Sequence, residues 1–600
     1  MRIIRPAAAM AAILTVTLAA ACSSNSSKSA TPHARPGGTV SIAWPATPNF
    51  IFPLAPATNT DGFNANLTQL MWPYLVYGGY GAQAVVNPRE SLYSSLTYSN
   101  SDKTITIDLK PWKWSDGQPI TSRDFTFVYN LLKANASNWI NYLPGLFPTD
   151  VTSVSTPSLH TVVINLTRSY NPAFYTEDVL SEVPLLPQHA WDKTSASSPV
   201  GNYDESASGA KAVYAFLQSE GGQMSTFATN PLWKVVDGPF QLSSFQSGGT
   251  YSYVPNKNYS GPDKPIVAKV VNLYFASDTA ELDTLRSGGT IDVGSLPLND
   301  LQQAGLLKAG GYSVGVQAVP GVAFIQPNLY NPKVGPLLQQ LYIRQALEDL
   351  IDRPQIVSKI YDGDADPGNG PVPIVAFGPW ISPLEKSGGP YPYSPPTAVA
   401  LLKAHGWKVV PNGVSTCQSP GRGASECGAG ITAGEPLTFQ LAYSSGTAST
   451  DQQEAAIQSW QEQAGIKLNL RSEPFNTLVG TVGTCSASSH PASTCSWQLV
   501  DFGYDPYNLY PSGASLFNTG GVNNEGGYSN AEMDNLINAT EYGPGTQTFF
   551  QYEDYAAEQL PYLWLPDADQ IQVYKSNLQG FTPLNPFTGG VNPQIWYYSS

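Results

Sequence analysis

WKWSDGQPITSRDF, residues 112–125, sets two tryptophans, two aspartates, two serines and a threonine within fourteen positions. That mix has the look of an acid–base site in an aromatic pocket. Two local elements account for the same residues without chemistry. Ser115, Asp116 and Gly117 form a turn signal. Thr121 with Asp124 three positions on has the form of a capping box, and Phe125, Val128 and Leu132 then supply the apolar stripe of a helix. The stretch therefore reads as strand end, turn and helix start compressed together.

Other reactive residues are equally unpatterned. The five histidines, His33, His160, His189, His405 and His490, make no H-x-x-x-H pair, so the spacing of a helical zinc site is missing. There is no G-x-S-x-G elbow and no G-x-x-x-x-G-K-[ST] phosphate loop. His405 precedes a helix-stopping glycine and reads as a partner of the helix dipole; His189 follows a proline turn and reads as structural. Asp362, Asp364 and Asp366 have D-x-D-x-D spacing but lack the Gly and terminal Glu of a calcium loop. Paired glycosidase carboxyls would have to meet in space, which spacing along the chain does not reveal. No catalytic residue, metal or cofactor is expected, and the chain reads as a non-enzyme.

The elements that would position a site are mixed α/β. "TITIDLK" (104–110) alternates as a half-buried strand. Strands near 239–246 and 249–255 read as a hairpin. Residues 337–361 read as two helices broken at Asp352-Arg353-Pro354, where proline fits the first turn. "LTFQLAY" (437–443), a helix over 451–465 and "IKLNLR" (466–471) form a βαβ unit with a parallel pair. At 600 residues the chain is too long for one core, so two or three domains are expected. Only 12% of residues are charged, the formal net charge is −15, and no basic run exceeds two residues. Nucleic acid is therefore a poor partner.

The N-terminus is more specific. Arg2 and Arg5 precede the apolar run 7–21, which is too short to span a bilayer and has the length of a secretory h-region. "LAAAC" resembles a bacterial lipobox ending at Cys22, although Ala19 stands where that pattern prefers Leu. The resemblance implies a signal peptide over 1–21, a lipid on Cys22 and a flexible tether over 22–38. Removing 1–21 takes the formal charge to −17. Cys417, Cys427, Cys485 and Cys495 remain, an even number that favours disulfides outside the cell. Of three possible pairings the local ones, Cys417–Cys427 and Cys485–Cys495, are expected; zinc ligands would be more closely paired.

Several segments in order resemble family 5 of the extracellular solute-binding proteins, the oligopeptide- and dipeptide-binding components of ABC importers. They include "GGTVSIAWPATPNFIFPL" (37–54), "LYSSLTYSNSDKTITIDLKPWKWSDGQPITSRDFTFVYNLL" (92–132), "VPLLPQHAW" (183–191), "VDGPFQLSSF" (236–245), "YIRQALEDLIDRPQIVSKIYDGDADPGNGPVP" (342–373) and "YPSGASLFNTGGVNNEGGYSNAEMDNLI" (510–537). The resemblance implies an α/β, periplasmic-binding-protein-like fold of type II, a three-domain venus flytrap. Lobe I would comprise 37–75, 180–310 and 566–600, an extra domain 76–179, and lobe II 311–565. It implies a monomer at the outer face of the cytoplasmic membrane that hands peptides to a permease. Nickel complexes, opines and oligosaccharides are alternative solutes, and a secreted hydrolase is the remote alternative. In the family an acid fixes the peptide α-amine. Asp505 is the expected counterpart and Asp501 the second choice, while another alignment puts Asn508 in that column. Trp497 and Tyr504 are candidates for the cleft, and Asn49 and Phe50 for backbone contacts with the ligand.

Overall fold

The computed structural model describes residues 34–56, 59, 62–79, 85–317, 321–482, 495–503, 505–506, 509–543, 545–581 and 591–599. The leader, Cys22 and most of the tether lie outside the described residues.

The alternation in "TITIDLK" builds the strand Thr104–Leu109, with Ile105, Ile107 and Leu109 all buried. It lies in an antiparallel four-stranded sheet ordered Tyr93–Ser99, Thr104–Leu109, Thr161–Leu166, Val151–Ser158. The turn that follows needs Gly117, whose φ is +90°. Helix Ser122–Asn135 then starts on the expected capping box. Arg123 N–H donates to Thr121 Oγ1 at 3.2 Å, and Thr121 N–H donates to Asp124 Oδ2 at 2.8 Å. Trp114 is buried, Trp112 packs edge-on to Tyr259, and Asp116 meets His189 at 2.8 Å.

Two larger sheets carry most of the other strands. The first runs Tyr312–Gln317, Gln570–Lys575, Val293–Leu296, Thr39–Trp44, Lys269–Tyr274, Tyr251–Pro255, Phe240–Phe245. The second runs Lys467–Glu473, Thr438–Ser444, Leu499–Asp501, Gly321–Pro327, Asp505–Pro506, with Leu563–Leu565 also on Gly321–Pro327. The βαβ unit is the edge of this second sheet. Thr438–Ser444 and Lys467–Glu473 pair in parallel, Leu441 opposite Leu470, and helix Ala448–Glu462 joins them. Strand Tyr312–Gln317 belongs to the first sheet, so the segment expected to end at 310 runs further. The register with Gln570–Lys575 decides this, since six consecutive residue pairs hold it there.

The chain crosses between these sheets from 317 to 321 and from 565 to 570. Beside the second crossing Asp567–Ala568 pairs with Ala365–Asp366, and Asp567 Oδ1 accepts from Ala323 N–H at 2.5 Å. The D-x-D-x-D stretch, read as a loop, thus ends in a two-residue strand at Asp366 that is seated at a crossing. Among the described residues no group of three or more His, Cys, Asp or Glu is placed to hold a metal ion. Cys417 and Cys427 are bonded to each other. Cys495 is buried and disulfide-bonded; Cys485, its expected partner, lies outside the described residues. The ring of His405 stacks on Tyr342 at 3.9 Å, and burial lowers its pKa. It stands at the C-terminal cap of helix Pro395–Ala404, the place expected of a helix-dipole partner.

Candidate solute-binding cleft

A cavity of about 910 Å³ lies between the two large sheets. That is the upper end of the range in which small-molecule sites fall. Ile42, Ala43 and Trp44 of the first sheet face it, and so do Gly321, Ala323 and Phe324 of the second. Both crossings flank it, through Gly321 on one side and Pro566, Asp567, Ala568 and Asp569 on the other. None of residues 112–125 lines it, which agrees with an architectural role for that stretch.

Contacts between the lobes roof the cavity. Asp278 N–H donates to Gly446 O at 3.2 Å, and the Asp278 carboxyl accepts from Ala448 N–H at the start of helix Ala448–Glu462. Asn476 Nδ2 donates to Thr47 O at 3.5 Å. Phe63 meets Phe475 edge-on, with ring centroids 6.1 Å apart. The four-stranded sheet's region adds a wall, where Asp178 Oδ2 accepts from Ser512 Oγ at 2.7 Å and Glu182 Oε2 accepts from Asn141 Nδ2 at 2.6 Å.

The polar lining is acidic. Asp178 and Glu182 stand at one end, Asp278 and Glu281 on the first lobe, Asp501 and Glu525 on the second, and Asp567 and Asp569 at the crossing. Burial, and then the nearby Asp178 charge, pushes the Glu182 carboxyl up to about 8. Burial lifts Glu281 to about 7 against two hydrogen bonds from Ser295. It lifts Asp278 to about 6, and Asp569, with Asp366 and Asp364 close by, also to about 6. Burial, and then the Asp501 carboxyl close by, raises Glu454 well above its ordinary value, and burial raises Asp501 to about 6. Gln453 Nε2 bridges them at 3.0 and 3.4 Å, and Tyr361 donates to Gln453 Oε1 at 2.8 Å.

These shifts fix a sign. A carboxyl whose folded pKa exceeds its unfolded value binds more protons folded than unfolded. Its ionised form then weighs against the fold, not at all below the unfolded pKa and fully above the folded one. For Glu182, Glu281, Asp278 and Asp569 that window runs from about 4 to about 8. The unliganded protein is accordingly expected to show a lower Tm at pH 8 than at pH 5.5, and Glu182→Gln to flatten the decline. A Tm that rises over this interval would contradict the shifts.

Residues 87–522 match the family described as bacterial extracellular solute-binding proteins, family 5, middle. The chain belongs to this family. A protein of Brucella ovis named as an ABC transporter peptide-binding protein is 28% identical to this family 5 chain over 356 residues, 59% of the chain and 57% of that relative. The match thus spans little more than half of the relative's length. The oligopeptide-binding protein AppA of Bacillus subtilis, solved with a nonapeptide, superposes with a TM-score of 0.74 at 18% identity, covering 95% of this chain and all of AppA. NikZ of Campylobacter jejuni, solved with Ni(L-His), superposes at 0.68 and 18% identity, over 93% and 99% of the two chains. At such identities the likeness shows the fold, which is the type II periplasmic-binding-protein fold.

The family 5 chain places the expected site residues unevenly. Phe50 lines the cavity. The N–H groups of Asn49 and Phe50, expected to face ligand, are instead held by Asn64 Oδ1 at 2.8 and 3.0 Å. Trp497 is not a cleft residue. It packs with Ala442, Leu478, Val482, Cys495 and Val500 in a small core, because its position next to the strand Leu499–Asp501 turns it away from the cavity. Asp501 lines the cavity but is committed to Glu454 and to Gly503 N–H at 2.6 Å. The Asp505 backbone pairs with Val322, one residue from cavity-lining Gly321. Tyr504 and Asn508 lie outside the described residues. Sequence reading passed over Asp178, Glu182, Asp278, Glu281 and Asp569. They come from three distant segments, and only the i, i+4 spacing of Asp178 and Glu182 and the i, i+3 spacing of Asp278 and Glu281 offered a local signal.

Proposed function

We propose that this chain is the solute-capturing receptor of an ABC importer and that its solute is a peptide. The observation that carries the reading is the roofed cavity of about 910 Å³ between two sheets joined by two crossings. Membership of family 5 and the peptide ligand of AppA support it. The first and second sheets act as lobes that close over the solute, and the segment 76–179 acts as the added domain. Closure moves ligand out of water, so contacts inside the cleft gain strength without any covalent step. The mature chain hangs from a lipid on Cys22 by the Ser- and Pro-rich tether, outside the cytoplasmic membrane, and presents the loaded lobes to a permease.

Asp505 anchors the peptide α-amine in this reading, supported by its backbone position beside the strand that carries Gly321 and Ala323. Asp505→Ala is expected to weaken free-amine peptides about tenfold or more and N-acetylated ones little, as loss of a charge-assisted hydrogen bond implies. Calorimetry with the matched pair checks this; equal losses would remove the anchor role. The overall reading is tested by native mass spectrometry of protein purified without refolding. Retained peptide masses are expected, and a metal chelate or sugar in their place would replace the peptide reading.

A further inference from the structure

The cleft is one-sided in charge. Eight carboxyl groups line it, and among the described lining residues there is no Lys, Arg or His. At the chain's own ratio of 30 basic to 45 acidic residues, eight carboxyls would be accompanied by about five cations. The internal segments outside the described residues do not supply them. Residues 57–58, 60–61, 80–84, 318–320, 483–494, 504, 507–508, 544 and 582–590 contain no Lys or Arg, and His490 is their only histidine. No salt bridge among the described residues joins Glu182, Asp278, Glu281, Asp501, Asp567 or Asp569 to a basic side chain.

Hydrogen bonding points the same way independently. Gln326 is 1% exposed and lines the cavity, and its Oε1 has no donor in the protein. Its orientation is fixed by the other end of the amide, because Nε2 donates to Asn523 O at 3.1 Å and to Tyr562 Oη at 2.9 Å. A buried acceptor left this way waits for a donor from outside the protein. Asp278 Oδ2, Asn66 Oδ1 and Asn476 Oδ1, also at the cavity, lack donors too. The ring surfaces of Trp44, Phe63, Phe324 and Phe475 complete a lining that suits ammonium and guanidinium groups.

We infer that the cleft selects peptides of net positive charge and has no place for a free carboxylate. The inference rests on the receptor reading of the same cleft and narrows its solute class. A carboxylate enclosed here would lose its water and gain no cation, whereas an ammonium group would meet several carboxyls, whose ionised forms it favours, and the orphan acceptors at once. The α-carboxylate of an ordinary peptide must then be capped or lie outside the enclosed volume.

The test is calorimetry of the full mature chain at pH 7.5 with Ala-Lys-Ala as free acid and as C-terminal amide, Ala-Glu-Ala amide, and spermidine. Ala-Lys-Ala amide is expected to bind at least about tenfold more tightly than its free acid, with Ala-Glu-Ala amide weakest and all differences shrinking in high salt. Glu182→Gln is expected to cut the preference for Lys over Glu by about tenfold, and Asp178→Asn serves the same purpose if that variant fails to fold. Equal affinity of amide and acid, or of the Lys and Glu peptides, overturns the charge inference and leaves the receptor reading intact. Spermidine binding with no peptide bound supports the charge inference and overturns the peptide reading. Silence from every cationic probe overturns the charge inference.

Discussion

Gly446→Val is expected to weaken solute binding by about ten- to a hundredfold, with the ligand-induced rise in Tm lost. Gly446 takes φ +110° at the point where the lobes meet, and its carbonyl accepts from Asp278 N–H. A Cβ there would sit 3.1 Å from the carbonyl oxygen of Ala276 on the opposite lobe. Branching at that carbon adds methyl groups where the closed cleft has little room. Overpacking of this kind costs about 1–3 kcal/mol. In the proposed opening and closing of the cleft the clash falls on the closed form, so it subtracts directly from the population competent to hold ligand. The strain of a positive φ on a β-branched residue is carried open and closed alike, so a modest Tm loss without ligand is expected as well. An unchanged Kd would show that the Asp278–Gly446 contact is not part of the liganded state.

Glu348→Ala is expected to destabilise the second lobe by about 3–5 kcal/mol, more than Arg353→Met does. The two residues form a buried ion pair at the break between the helices read from 337–361. Glu348 Oε2 also accepts from Trp564 N–H at 3.1 Å, and Arg353 Nη2 donates to Tyr391 O at 3.0 Å. Removing Glu348 leaves a guanidinium buried without its counter-charge, and arginine does not escape by losing a proton. Removing Arg353 leaves a carboxyl that does escape this way. Burial already holds Glu348 at about 7, against the pull of Arg353. The penalty of Arg353→Met should therefore shrink below pH 6, while that of Glu348→Ala should not. Denaturant titrations of both variants at pH 5.5 and 8 read the difference; equal penalties with equal pH dependence would refute the asymmetry.

Much of the fold was legible because its signals are local. The capping box at Thr121 and Asp124, the alternation of Ile105, Ile107 and Leu109, and the βαβ periodicity after Leu437 each depend on neighbours within a few turns. The cleft was legible only through the resemblance, and then unevenly. Phe50 does line it, but Trp497 turned inward, since an aromatic beside a strand is equally at home on either face. The acidic wall escaped notice for a different reason. Asp278, Glu281 and Asp569 are unremarkable in their own segments, and only the crossing of the chain between two sheets gathers them around one volume. The excess of acids was visible as a net charge of −15, yet composition does not say where charge collects.

The central claim is that this cleft captures peptides by closing on them. Calorimetric titration of the mature chain with a random mixture of di- to pentapeptides, repeated at several temperatures, tests it most directly. The account predicts saturable one-site binding with a negative heat-capacity change, as closure buries apolar surface. No binding from any peptide pool, or peptide turnover lost on replacing a cleft carboxylate, would contradict it.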